Sequence, residues 1–198
     1  NLSIGFAEEG IEYRFERLWP QLEQPWYFTS PEAIAIAPDG SIYVIDTEYD
    51  LIQQFSADGE FIRAWGGYGS DEGQFYFPQA LSIAPDGSVY VADTLNNRIQ
   101  QFSADGEFIR AWGSYGSDEG QLDRPNGIAV APDGSVYVTD IWNHRIQQFS
   151  ADGEFIRAWG SDGSDDGQFS LPYGIAIAPN GSVYVADSLN HRIQQFSA

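Results

Sequence analysis

Cysteine, methionine and lysine are all absent from this 198-residue chain. Without cysteine there are no disulfides and no thiolate metal sites, and the redox compartment is left unmarked. Without lysine, all nine basic residues are Arg, set against 29 acidic ones for a formal charge of -20. A surface of that sign repels phosphate backbones, whose binding depends on Lys and Arg displacing counterions, so nucleic acid is not expected as a partner. No apolar run is long enough to cross a membrane as a helix and no signal-peptide pattern is present, so no membrane partner is expected either. A chain that starts at Asn1 and holds no Met is expected to be a processed, trimmed or excised form. The excess acid is read as keeping a repetitive β protein soluble and its edges from pairing, with adaptation to high salt or divalent cations as the alternative.

What is present is repetition. SIYVID, SVYVAD, SVYVTD and SVYVAD end at Asp46, Asp93, Asp140 and Asp187, and the QQF phrases end at Phe55, Phe102, Phe149 and Phe196, a period of 47 residues without slippage. Length alone allows one or two domains, but a fixed period of this size signals a solenoid, propeller or array, hence one repetitive domain. In the third copy, GIAVA (127–131), SVYVTD (135–140), RIQQFS (145–150) and FIRAWG (155–160) are β-rich runs separated by PDGS, IWNH and ADGE turns. Such runs bounded by Asp-Gly are antiparallel hairpin signals, and four per repeat predict the blades of an all-β propeller. The first two strands, apolar on nearly every residue, are expected near the axis; the third, with its Gln-Gln pair, is expected to be more exposed.

The run from Pro125 to Phe149, PNGIAVAPDGSVYVTDIWNHRIQQF, resembles the NHL repeat, and the likeness extends over four copies beyond residue 30. The first copy departs from the pattern, with Tyr49, Asp50 and Leu51 where the others have Asn, Asn or His, and Arg. The resemblance implies a propeller, usually of six blades. The domain is then read as residues 13–198 after an N-terminal extension (1–12), with repeats starting near 31, 78, 125 and 172. YRFERLW (13–19) aligns with EFIRAWG but lacks preceding strands, and the last copy lacks its fourth strand. Joining the two is the Velcro closure of propellers, which satisfies open sheet edges.

Alternating strand direction puts the connections after strands two and four on one rim, and only there do the copies diverge. Entering the first strand are Glu32, Gln79, Asn126 and Tyr173; in the other loop are Glu48, Leu95, Trp142 and Leu189. These eight residues are the candidate ligand-binding set, since concave mouths with a few polar groups and exposed aromatics are where ligands bind. The Asn-His-Arg triplets are read as structural corners, with Arg145 pairing Asp140, and not as metal sites, because a third His is missing. The Gly-Ser-Asp loops offer carboxylates without the spacing of a calcium loop and are read as solvated turns. No catalytic motif stands out, and no cofactor or metal is expected.

Two functions are carried forward. The first is a non-enzymatic, rigid binding or scaffolding module, extracellular or periplasmic in its parent protein, whose variable rim recognises a protein, peptide or glycan. The second, implied by propellers similar to this one that hold a cation at the channel mouth, is a metal-dependent lyase or lactonase. Self-association is also expected. Four NHL-type wedges of about 60° would have to open to about 90° each to close alone, whereas eight from a homodimer need about 45° each; a closed or open four-bladed monomer is the alternative.

Overall fold

A computed structural model describes residues 14–16, 18 and 28–197. Its first blade comprises β1 (Pro31–Ile36), β2 (Ile42–Asp46), β3 (Leu51–Phe55) and β4 (Phe61–Gly66). The second holds β5 (Pro78–Ile83), β6 (Val89–Asp93), β7 (Arg98–Phe102) and β8 (Phe108–Trp112), and the third β9 (Pro125–Val130), β10 (Val136–Asp140), β11 (Arg145–Phe149) and β12 (Phe155–Trp159). The fourth has β13 (Pro172–Ile177), β14 (Val183–Asp187) and β15 (Arg192–Phe196). Every sheet is an antiparallel meander in chain order, so the chain is a four-bladed all-β propeller array. Among the described residues β15 has β14 as its one strand neighbour. The extension 1–12 lies outside the described residues, as do three of the seven residues of the expected outer strand at 13–19; the other four, Arg14, Phe15, Glu16 and Leu18, lie in no strand.

Successive blades stack through their inner strands, β1 on β5, β5 on β9 and β9 on β13, with no comparable contact between β13 and β1. Ile36, Ile83, Val130 and Ile177, one from each inner strand, line a common opening of about 460 Å³ with the prolines of the Pro-Asp-Gly and Pro-Asn-Gly turns. The core lies between blades. Tyr90, Ala92 and Ile99 of the second blade pack with Leu122, Ile128, Val136, Val138 and Phe149 of the third. The other two joints repeat this arrangement. Polar ties accompany it: the Tyr43 and Tyr90 hydroxyls donate to the Ala104 and Ala151 carbonyls of the next blade, 3.0 and 3.3 Å away. Thr47 and Thr94 likewise donate to the Pro78 and Pro125 carbonyls at 2.7 Å.

The third strand departs from expectation. Its glutamines are buried in the first three blades, with Gln100 and Gln147 fully enclosed. The reason is that the amides exchange water for fixed partners, Gln147 through both its oxygen and its nitrogen and Gln101 through its nitrogen alone. Gln147 donates to Asp140 and to the Gln121 carbonyl and accepts from Gly120 N–H, while Gln101 donates to the Tyr90 hydroxyl. A polar side chain can be buried at little cost when its hydrogen bonds are met.

The Gly that ends each Trp-Gly phrase has two reasons to be Gly. Gly113 sits at φ 95°, and a Cβ there would stand 2.7 Å from Leu122 of the next blade and 3.1 Å from the Asn97 carbonyl. Gly167 also has positive φ (81°) but open space around it. Gly167→Ala should therefore cost about 1 kcal/mol of backbone strain, whereas Gly113→Ala adds overpacking for a total of about 2–4 kcal/mol. Paired thermal melts of the two variants measure the difference.

Candidate functional site

Each second strand ends on an Asp with no solvent exposure, followed by one turn of 3-10 helix at Thr47–Tyr49, Thr94–Asn96, Ile141–Asn143 and Ser188–Asn190. The next residue, Asp50, Asn97, His144 or His191, is left-handed at φ 53–54° and turns the chain into the third strand. In the third blade, Asp140 accepts from Asp123 N–H, Asn143, Arg145 Nε (2.8 Å) and Gln147. Arg145 spends its remaining nitrogens on the carbonyls of Ser117, Asp118 and Gln121. The triplets are thus structural corners, as expected, and the Gly-Ser-Asp loops are held by their backbones, with carboxylates such as Asp118 and Glu119 outside. Arg98 and Arg192 do the same in their blades. In the first blade Leu51 replaces this Arg, and Asp46 is satisfied instead by Thr29 and Ser30 N–H.

On this frame the corner residue reaches the following blade. Asp50 accepts from Phe77 N–H, Asn97 from Arg124 N–H (2.9 Å) and His144 Nδ1 from Leu171 N–H (3.4 Å). Phe77, Arg124 and Leu171, each preceding a proline, are themselves left-handed at φ 48–57°. That strained geometry holds three different side chains at one backbone position of the rim.

The candidate residues fall into two groups. Glu32, Gln79, Asn126 and Tyr173 are the second residues of β1, β5, β9 and β13. Asn126 donates to Gln79 across the joint at 3.0 Å, Glu32 accepts from Ser30 at 3.4 Å, and Tyr173 is exposed. Glu48, Leu95, Trp142 and Leu189 occupy the middle of the 3-10 turns. Of these, Leu95 and Trp142 come together, lining a groove of about 480 Å³ between the second and third blades with Tyr76, Asn97, Tyr115, Asp123 and Arg124. Trp142 is 53% exposed, and the Arg124 guanidinium lies 5.2 Å from its ring centroid. Glu48 and Leu189 belong to other blades and are not in this groove.

Reading only the loop centres missed Tyr76, Tyr115, Asp123 and Arg124. Their signal was the same divergence between copies: Tyr76, Asp123 and Ser170 are equivalents, as are Phe77, Arg124 and Leu171. Exposed aromatics gather on this rim, with Tyr49, Tyr68, Tyr76, Phe77, Tyr115, Trp142 and Tyr173 among them. The opposite rim is built of PDGS and SADGE turns. No group of three or more His, Asp or Glu is placed to hold a metal among the described residues.

Burial raises the carboxyls of Asp50, Asp93 and Asp123 above the ordinary value of 3.8. Asp187 goes the other way. Burial is the largest single influence and raises it, but hydrogen bonds from Ser170 N–H, Asn190, Arg192 and Gln194 together hold it below 3.8.

The NHL repeat model matches residues 75–102, 122–149 and 169–196. No curated protein sequence matches the chain. Among solved structures, a catalytically inactive virginiamycin B lyase from Staphylococcus aureus with quinupristin shares 18% identity at a TM-score of 0.64, covering 85% of this chain and 56% of that one. A nidogen/laminin complex gives 22% and 0.68, covering 84% and 60%, and hydrazine synthase of Kuenenia stuttgartiensis 18% and 0.66, covering 90% and 49%. The chain spans about half to three-fifths of those lengths, and at these identities the likeness is one of fold.

The two opposite shifts give a sign test. Asp187, depressed when folded, contributes stability above pH 3.8 that is lost as pH falls through its folded value; Asp93, raised, contributes stability below 3.8 that is lost as pH rises through its folded value. Carboxyl titration by NMR should place Asp93 above and Asp187 below 3.8. Asp187→Asn should cost about 2 kcal/mol at neutral pH, a deficit that shrinks as the wild type is acidified.

Proposed function

Because the chain is an NHL-repeat β-propeller, we propose that it acts as a rigid, non-enzymatic binding module whose rim groove between the second and third blades receives a peptide or glycan segment. The observation that carries this reading is the groove itself: Tyr76, Tyr115, Trp142 and Leu95 supply apolar faces, while Asp123, Arg124 and Asn97 supply a few directional polar groups. Its volume of about 480 Å³ is that of a small ligand site. Side chains of this kind anchor partners because they carry large contact area at low entropic cost, and Trp, Tyr and Arg dominate binding hot spots. Burying Trp142 under a ligand keeps the Arg124 charge over its ring while removing water from both. The charge of -20 favours cationic or neutral ligands. That a fold neighbour is a nidogen/laminin complex is in keeping with protein recognition by such arrays.

A second reading, a metal-dependent lyase or lactonase, draws on the lyase among the fold neighbours. Its donors would be Glu32, Gln79, Asn126 and Tyr173 at the axial mouth. They fit a hard cation poorly: the set holds one carboxylate, and Gln79 and Asn126 are bonded to each other. The binding reading accounts for more of the rim.

Screening peptide and glycan arrays with the wild type, Trp142→Ala and Tyr115→Ala separates the readings. Each substitution should weaken captured ligands at least about tenfold while leaving the melting temperature nearly unchanged, as both side chains are exposed. Undiminished binding of every ligand would remove this groove from consideration.

A further inference from the structure

We propose that a second copy of this chain covers the apolar surface left exposed on the two end faces of the blade series, trailing face on leading face at both joints, giving a closed pair of eight blades. What the chain does with the same faces internally is the ground for it. At the three interior joints the trailing face presents Tyr43 and Ile52, Tyr90 and Ile99, or Tyr137 and Ile146, and none of these is more than 5% exposed. Their equivalents in the fourth blade, Tyr184 and Ile193, are 37% and 67% exposed. On the receiving side Leu81 and Ile128 are 7% and 6% exposed, whereas their equivalent in the first blade, Ile34, is 63% exposed.

The chemistry of the bare faces identifies the occupant. Tyr184, Ala186 and Ile193 repeat by type Tyr90, Ala92 and Ile99 of the second blade. The latter three are covered by Ile128, Val136 and Val138; their first-blade equivalents are Ile34, which is bare, Ile42, which is half-buried, and Val44, which is already buried in the single chain. A copy of the chain therefore carries the complement of each face and is left with neither bare, whereas an unrelated partner would need to imitate a blade. The polar ties continue as well. The Tyr184 hydroxyl follows Tyr43 and Tyr90, which donate to the next blade's turn, and Ser188 follows Thr47 and Thr94, which donate to the next blade's proline carbonyl. In the pair that carbonyl belongs to Pro31 of the second copy.

Trailing-to-leading contact is heterologous, and two copies close it with about 45° per blade. The faces involved are distinct from the rim groove, so this inference stands apart from the binding reading. Light scattering of the whole chain at micromolar concentration should report twice the 22.0 kDa chain mass. With -20 on each copy, the pair should tighten from about 0.05 to 0.5 M salt. Ile193→Asp and Ile34→Asp should each weaken pairing at least about tenfold with unchanged circular dichroism, because both side chains are exposed in the single chain. Mixing the two variants should restore part of the pairing, since the mixed pair keeps one joint free of either substitution. A monomer at all concentrations, or a mass that climbs without limit as an open filament would, overturns the closed pair. Sensitivity to Ile193→Asp alone overturns the trailing-to-leading arrangement.

Discussion

Asp93, Asp140 and Asp187 are wholly buried, and a carboxylate so placed costs several kcal/mol unless its oxygens are paired. The chain meets that demand with donors drawn from three places. The backbone entering the blade supplies one N–H, the Asn of the corner an amide, and the third strand an Arg and a Gln. Once committed to the carboxylate by Nε, the same guanidinium collects three carbonyls from the loop arriving from the previous blade. One buried charge thus fixes where a blade turns, how its third strand registers on the second, and where the preceding loop rests.

Because those bonds are made by backbone and by four side-chain types that recur in the second, third and fourth blades, the residues between them are released from structural duty. Phe77, Arg124 and Leu171 occupy one backbone position with one strained geometry, and nothing in the corner constrains which side chain stands there. The centres of the 3-10 turns behave alike, holding Glu48, Leu95, Trp142 and Leu189. A frame that spends its specificity on the main chain leaves an address space on the rim, and the aromatic groove is one way of filling it.

The blades were legible because two independent signals agreed, the 47-residue period and the Asp-Gly turns between β-branched runs. Predicted runs at 135–140 and 145–150 became Val136–Asp140 and Arg145–Phe149, within a residue at each end. The Arg145 to Asp140 pair was legible from charge and spacing. The burial of Gln147 was not, since polarity alone points outward and its partners come from a loop 26 residues away. For the same reason the groove was only half visible. Leu95 and Trp142 announced themselves as divergent loop centres, but Tyr115 and Arg124 reach the site through the packing of one blade on the next.

The ties between blades join residues 24 to 61 positions apart, always to an adjacent repeat. Such a chain can order itself blade by blade, each newly formed sheet templating its successor, without having to bring distant ends together first. The same regularity carries a hazard. The second and third copies share the larger joint-forming residues of their second to fourth strands, such as Tyr90 and Tyr137, Ile99 and Ile146, and Trp112 and Trp159. A half-folded intermediate therefore finds a nearly equivalent docking surface one repeat out of place, on its own chain or on a neighbour's, and misassembly of that kind is a characteristic failure of repeat proteins. The Arg and Asp side chains that differ little between blades cannot police the order; the divergent residues at the joints, such as Thr139 donating to the Tyr173 carbonyl beside Gly127, are what distinguishes one pairing from another.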